Sequence, residues 1–353
     1  VNFNADEWIS TASKAGMRYF IITAKHHDGF AMYDSKVSDF NIMKQSPFGR
    51  DPMAELAAAC KKYGIKFGFY YSHAFDWEHP DAPGNDWEYK NPGGDLNLYG
   101  GANWYDVHPE LLPKAVKYVN EKAIPQIREL ITKYHPDILW FDTPQKLPLS
   151  ENIRILKAIR ETDPNVVVNG RLARSANYMF GDYKNTSDRP AEFFPVDGDW
   201  EGIPTTNESY GYHQYDSSHK PASFFIRLLA NSASRGGNIL MNIGPMGNGA
   251  MDPKDLNILK GIGRWMSVNS ESIYGTAKSP LAIQSWGVCT QKGNKLFLHV
   301  FQWPRNGKLI VGGLKSKVKN AYLLADPVKK QLLFTRINSL DLNVKIPVNV
   351  PDT

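Results

Sequence analysis

Several residues capable of chemistry fall where an apolar strand should stop. Thr23-Ala24-Lys25-His26-His27-Asp28-Gly29-Phe30 sets two adjacent imidazoles and an acid after the run MRYFIIT. Asp142 closes DILWFD beside Trp140 and Phe141, as a nucleophile or acid candidate whose plainer role is an N-cap or a salt-bridged acid. Arg171 closes NGR, where a guanidinium can orient a neighbouring carboxylate or hold a hydroxyl, or simply face solvent. Neighbours on a strand point to opposite faces, and no HxH, HExxH or DxD companion accompanies His26 and His27. Hydrogen bonding to a polar ligand, with two donors aimed at hydroxyls, is therefore favoured over a core role, and both over a metal.

A second kind of chemistry sits in TSDRPAEFFPVDGDWEGIPTTNESYGYH (186–213), the densest acidic and aromatic stretch. Asp188, Glu192, Glu201 and Glu208 are all potential proton donors there. Cleaving a glycosidic bond takes two carboxyls, about 5–5.5 Å apart for retention and about 6.5–9.5 Å for inversion. Phe193, Phe194 and Trp200 can desolvate an acid in this stretch and raise its pKa.

The elements that must position these groups alternate. Helices are expected at 5–16, 51–64, 109–135 with a kink at Pro125, 150–164, 218–237 and 253–275. Apolar strands are expected at 17–24, 65–72, 137–142, 165–171 and 238–245, of the kind buried on both faces. Alternation with apolar strands argues a parallel sheet. His26, His27, Tyr71, Ser72, Asp142, Arg171 and Asn242 all follow strand C-termini, which form one mouth in a (β/α)8 barrel. A doubly wound sheet would normally offer a Gly-rich phosphate turn, and none is seen. The excursion 73–107 exceeds an ordinary connection and reads as a functional loop. Beyond 276, five short segments at about ten-residue spacing suggest an antiparallel β-sandwich, giving a catalytic barrel over 1–275 and a sandwich over 276–353.

Composition narrows the class. The chain has 353 residues, 42% hydrophobic, enough for a large core. The net charge of +5 is scattered with no basic block, which reads as a solvated surface and not as a nucleic-acid footprint. The two cysteines, Cys60 and Cys289, exclude a disulfide framework and a cysteine-based zinc site. No apolar run is long enough to span a membrane. The sequons at Asn185 and Asn207 are treated as chance matches.

The chain resembles the family 29 glycoside hydrolases, the α-L-fucosidases. FNADEW, AKHHDGF, GFYYSHAFDW, LWFD, NGR, WEGIPTTNESYGY and GGNILMNIGPMGNG occur in order, from about residue 3 to 275. The resemblance implies a catalytic (β/α) barrel with a C-terminal β-sandwich, and retaining hydrolysis of terminal α-L-fucosides without metal or organic cofactor. By the same resemblance Asp142 is the nucleophile, and His26 and His27 bind sugar hydroxyls. Tyr71 lines the pocket, Arg171 stands beside the nucleophile, and Tyr210 packs on the fucose methyl, with Trp200 a further substrate contact. The acid/base position varies across the family. Asp188 is the first choice, Glu192 the second and Glu201 the third. The family opens with a first strand bearing FGLFIHWG and later carries a Glu-Trp pair. Neither precedes VNFNADEW, so the expected barrel is one strand short. The substrate expected is a fucosylated glycan, with no nucleic-acid or membrane partner. The expected location is periplasmic or secreted.

Rival readings are an α-L-galactosidase on the same fold, a disabled sugar-binding homologue, and a metal-dependent barrel hydrolase. Fucose and L-galactose differ by methyl against hydroxymethyl at C5, so an apolar wall there would favour fucose.

Overall fold

The computed structural model describes residues 2–83, 109–175, 177–194 and 196–352. Residues 84–107 of the long excursion therefore lie outside the described residues. The chain is α/β and divides into two compact units, Val1–Ser13 with Met17–Asn185, and Lys14–Gly16 with Thr186–Thr353.

The first unit is strand–helix alternation. Helix α1 (Ala5–Lys14) buries Ala5, Trp8, Ile9 and Ala12, the spacing of one helical face. Strand β1 (Tyr19–Lys25) leads through a loop to α2 (Pro52–Tyr63). Asp51 caps α2 by accepting from the Met53 and Ala54 amides, a contact worth about 1 kcal/mol. Gly64, at φ 65°, ends α2 in the left-handed region that favours glycine. Then come β2 (Lys66–Tyr71), α3 (Leu112–Tyr118) and α4 (Ile124–Tyr134). The kink expected at Pro125 is a π-helical turn over Val119–Ala123. Proline offers no N–H and its ring crowds the carbonyl four residues earlier, so the turn before it widens. Strand β3 (Ile138–Phe141), α5 (Leu149–Thr162) and β4 (Val167–Val168) complete the unit.

These strands form a parallel sheet in the order β1-β2-β3-β4, so each strand lies beside its sequence neighbour. In register, Thr23 faces Tyr70 and Tyr70 faces Trp140. The β1–β2 register slips between Thr23 and Lys25, which faces Tyr71. The bulge turns the Lys25 side chain inward, where it is fully buried, before the chain reaches His26.

The second unit holds β5 (Lys184–Asp188, which begins at the division), β6 (Trp200–Ile203), α6 (Ala222–Ser234), β7 (Asn238–Ile239) and α7 (Pro253–Asn269). Its first sheet has the order β5-β6-β7. Phe225 and Ile226 of α6 pack on Ile258, Ile262 and Met266 of α7. Two antiparallel sheets follow. One pairs β8 (Gly287–Lys292) with β9 (Lys295–Val300). The other has the order β10-β12-β11, from β10 (Lys308–Val311), β11 (Phe334–Arg336) and β12 (Leu342–Lys345). Trp286, Cys289, Leu309, Val311, Leu342, Val344 and Ile346 form one buried cluster within this region. NAYLLAD, expected as a strand, forms none; Ala321 contributes one backbone bond, from Leu332 N to its carbonyl at 2.7 Å.

Candidate active site

Four successive strands of the first sheet each deliver one flat group at or just past their C-terminal ends. His26 follows β1, Tyr70 lies near the end of β2, Trp140 on β3, and Arg171 beyond β4. His26 stacks on Tyr70 at 5.2 Å between ring centroids, with 10° between planes. Tyr70 stacks on Trp140 at 5.5 Å and 25°. The Arg171 guanidinium lies 5.2 Å over the Trp140 ring. In-register parallel pairing sets Tyr70 beside Trp140 on one face, and the chain just past β1 and β4 brings His26 and Arg171 onto the two ends of the ladder.

Asp142 sits at the Arg171 end of the ladder. Arg171 Nη1 donates to Asp142 Oδ1 at 3.0 Å, and both side chains stay partly open, 15% and 25% exposed. Thr143 takes φ 54°, costly for a β-branched residue, and its N–H donates to Asp142 Oδ1 at 2.9 Å. Asn169 braces the preceding residue on both sides: Phe141 N donates to its Oδ1 at 2.8 Å, and its Nδ2 donates to Phe141 O at 2.9 Å. Gly170 makes room for this turn, since a Cβ there would meet Met179 Sδ at 2.2 Å.

At the other end, His26 and His27 lie 4.3 Å apart, centroid to centroid. Burial lowers both pKa values, His27 to about 4, with His26 and Lys25 adding to its shift. For His26 the Asp28 and Asp142 charges oppose the shift. His26 is exposed by area, but Tyr70 and His27 crowd one side of it, and that crowding is what disfavours its cation. Both rings are therefore neutral at pH 7.

The His27 tautomer follows from its neighbour. Ser72 Oγ spends its one proton on Phe75 O at 3.0 Å, so at 2.6 Å it accepts from His27 Nδ1–H. Nε2 then carries the lone pair. His27 offers a ligand an acceptor, not the donor the sequence suggested.

A buried ionic cluster fixes the loop beneath. Lys25 and Lys122 each reach Asp76 at 2.8 Å, and Lys122 reaches Glu78 at 2.5 Å. Lys25 also donates to Phe75 O at 3.0 Å and lies 4.8 Å over the Tyr71 ring. Burial brings the Lys25 pKa down to about 8 against the opposing Asp76 charge. Among the described residues no group of three or more His, Cys, Asp or Glu could hold a metal.

The sequence-expected site residues scatter more than expected. His26, Asp142 and Arg171 share the ladder, with His27 against His26. Tyr71 does not join them. It is fully buried, its hydroxyl donates to Gln126 Oε1 at 2.8 Å, and strand alternation hands its place to Tyr70. Trp200 is likewise a core residue, 1% exposed, edge-on to Phe193 at 5.2 Å, with Nε1–H donating to Arg235 O at 3.3 Å. In the second unit Asp188 and Glu192 are exposed, and Glu192 lies close enough to Arg235 to oppose the burial that lowers its pKa. Glu201 is 3% exposed on β6, paired with Asn238. Tyr210 takes φ 60°; its hydroxyl accepts from Arg189 N at 3.1 Å, and the Arg189 guanidinium lies 4.9 Å over its ring.

Sequence reasoning missed Tyr70 and Asn169 as site residues and placed Ser72 at the mouth without giving it a role. Parity was the available signal. Tyr70 is two residues from Ser72, as Trp140 is two from Asp142, so each pair shares a face.

A parallel sheet with a carboxylate, a guanidinium and two imidazoles gathered past its strand ends defines an α/β protein with a polar site along that edge of the sheet. A family model described as Alpha-L-fucosidase matches residues 1–271, and the chain belongs to that family. The tissue alpha-L-fucosidase of Rattus norvegicus is 30% identical over 321 residues, covering 86% of this chain and 63% of the relative. The chain thus spans under two thirds of that relative's length. The crystal structure of alpha-L-fucosidase from Vibrio sp. strain EJY3 superposes with TM-score 0.83 at 34% identity, covering 99% of this chain and 60% of that one. A trapped covalent intermediate of a GH29 alpha-L-fucosidase from Bacteroides thetaiotaomicron, in complex with 2-fluoro-fucosyl fluoride, superposes with TM-score 0.81 at 26% identity, covering 99% and 80%.

Proposed function

We propose that this chain is the catalytic part of a retaining exo-α-L-fucosidase acting on fucosylated glycans, periplasmic or secreted. The fold completing this reading is a (β/α)8-like barrel over 1–275 with a β-sandwich over 276–353. The observation that carries the reading is the Arg171-held Asp142 at one end of a ladder whose other end is His26. The covalent intermediate in the related Bacteroides enzyme supports double displacement.

Asp142 Oδ attacks C1 of fucose while a carboxylic acid protonates the departing glycosidic oxygen. That donor is Asp188, then Glu192, then Glu201 in order of preference. The resulting fucosyl ester is hydrolysed by water, whose proton passes to the same carboxyl now acting as base. Tyr70, taking the place given to Tyr71, and His26 flank the sugar, and His27 Nε2 accepts from one of its hydroxyls.

Asp142→Ala with azide tests the assignment. Loss of activity, with azide restoring turnover and releasing fucosyl azide, supports it. Undiminished activity of Asp142→Ala removes it.

A further inference from the structure

Trp77 is the one large aromatic of the 73–83 segment that the fold leaves open. It is 61% exposed, while its neighbours His73, Ala74 and Asp76 are fully buried. What sets this indole apart from other exposed rings is its place beside the histidine pair, where it offers a ligand a large flat apolar area.

The backbone that carries the ring is tied down. Trp77 N donates to His27 O at 2.8 Å, tying its backbone to the histidine pair. Asp76, the residue before, is locked by Lys25 and Lys122 and accepts from Glu78 N at 3.2 Å and His79 N at 2.9 Å. Gly29 lies so close that a Cβ there would meet Asp76 Oδ1 at 2.4 Å. The indole stands 6.3 Å from the His27 ring at 57°, turned away from stacking on it. Its face is thereby left for another planar or C–H-rich surface.

We infer that Trp77 is the platform for the sugar that carries the fucose, a pyranose whose apolar C–H face stacks on the indole while the fucose engages the imidazoles. This rests on the fucosidase reading and adds an acceptor subsite to it. Aromatic rings bury much area at little entropic cost, and a preordered mount lowers that cost further.

The test compares α-L-fucosyl fluoride, which has no acceptor ring, with a fucosylated disaccharide. For Trp77→Ala, kcat/KM on the disaccharide should fall about tenfold, carried mostly by KM, with the fluoride unchanged. Trp77→Phe should recover most of the loss. Equal losses on both substrates would show that Trp77 only buttresses His27, and no loss on either would show that no sugar covers it; each result overturns the inference. Fluorescence titration of Asp142→Asn with the intact disaccharide and with L-fucose supplies a readout without turnover. Weaker disaccharide binding in Asp142→Asn/Trp77→Ala, with fucose binding unchanged, supports the platform; equal disaccharide affinities with and without Trp77 overturn it. Wild-type protein inert towards both substrates would sink the hydrolase reading, and the titration would still decide the role of Trp77.

Discussion

Arg171 grips Asp142 from one side only, Nη1 to Oδ1 at 3.0 Å, while the plane of its guanidinium lies 5.2 Å over the Trp140 ring. The charge contact and the stacking fix different degrees of freedom. The ion pair sets where the carboxylate points, and the indole sets where the guanidinium lies. Oδ1 also accepts from Thr143 N, so both contacts converge on one carboxylate oxygen, and under the proposed mechanism Oδ2 is the oxygen that attacks.

Arg171→Lys keeps the charge but loses the flat group that the Trp140 face supports. A lysine at this position should therefore fail to rescue. Arg171→Lys and Arg171→Ala should both lower kcat/KM for an aryl α-L-fucoside by about 100-fold, the scale expected when a reacting group is misplaced by an ångström. Steady-state kinetics on folded protein would check this. A lysine variant at wild-type rate would mean that charge alone matters.

Ser72 fixes the proton on His27. Removing its hydroxyl frees Nδ1, and the ring can then take either tautomer. Ser72→Ala should raise KM about three- to tenfold, the scale of one neutral hydrogen bond, with a smaller change in kcat. Nitrogen-15 spectra of the His27 ring at pH 7 offer a direct check. The wild type should show Nδ1 protonated and Nε2 bare, and Ser72→Ala a tautomer mixture. A wild-type ring protonated at Nε2 would contradict the assignment.

Several neutral histidines make the fold acid-sensitive. Burial holds His27 near pKa about 4 and His73 near about 3, against about 6.5 unfolded. Their folded pKa values are depressed, so the unfolded chain binds more protons between those limits and folding weakens as pH falls. Stability should be level in this contribution above pH 6.5 and drop progressively to about pH 4 through His27, continuing to about pH 3 through His73. The His73 ring is fully buried and packs edge-on to Phe141 at 5.3 Å, and burial outweighs the opposing hydrogen-bond contributions of Asn152 and the Leu172 backbone. His73→Leu should therefore keep the fold at pH 7 and flatten the acid limb of urea midpoint against pH. An unchanged limb would show that His73 does not titrate with unfolding.

How far the sequence revealed this site depends on the distance over which each signal acts. The apolar runs ending in His26, Asp142 and Arg171 announce strand ends, because a buried strand must stop where polar groups begin. Which of Tyr70 and Tyr71 faces the ladder turns on register, and the slip between Thr23 and Lys25 changes the pairing locally. The Lys25–Asp76–Lys122 cluster joins residues far apart in the chain, each of which reads alone as an ordinary surface charge. Asn169 was legible as part of NGR but not as the brace on Phe141, since side-chain to backbone bonds between strands leave no periodic trace. Trp200 looked available because it lies among acids, yet β6 is buried along its whole length and Gly237 approaches so closely that a Cβ there would meet the Trp200 ring at 2.2 Å, which puts it in the core.

Thr143 stores strain directly behind Asp142. At φ 54° and ψ 49° a β-branched residue pays about 1–2 kcal/mol, and its buried hydroxyl oxygen has no partner among the described residues. The conformation turns the chain sharply after β3 and aims the 143 amide at Asp142 Oδ1. Glycine would adopt the same angles without strain but would lose about 0.5–1 kcal/mol to the freedom of the unfolded chain. Thr143→Gly should thus be neutral to about 1 kcal/mol more stable in urea, while kcat falls severalfold because the amide that holds the carboxylate becomes loose. Thr143→Val, which keeps the branching and removes the hydroxyl, should leave kcat near wild type. A glycine variant that gains stability with undiminished kcat would mean that the strain serves nothing at Asp142.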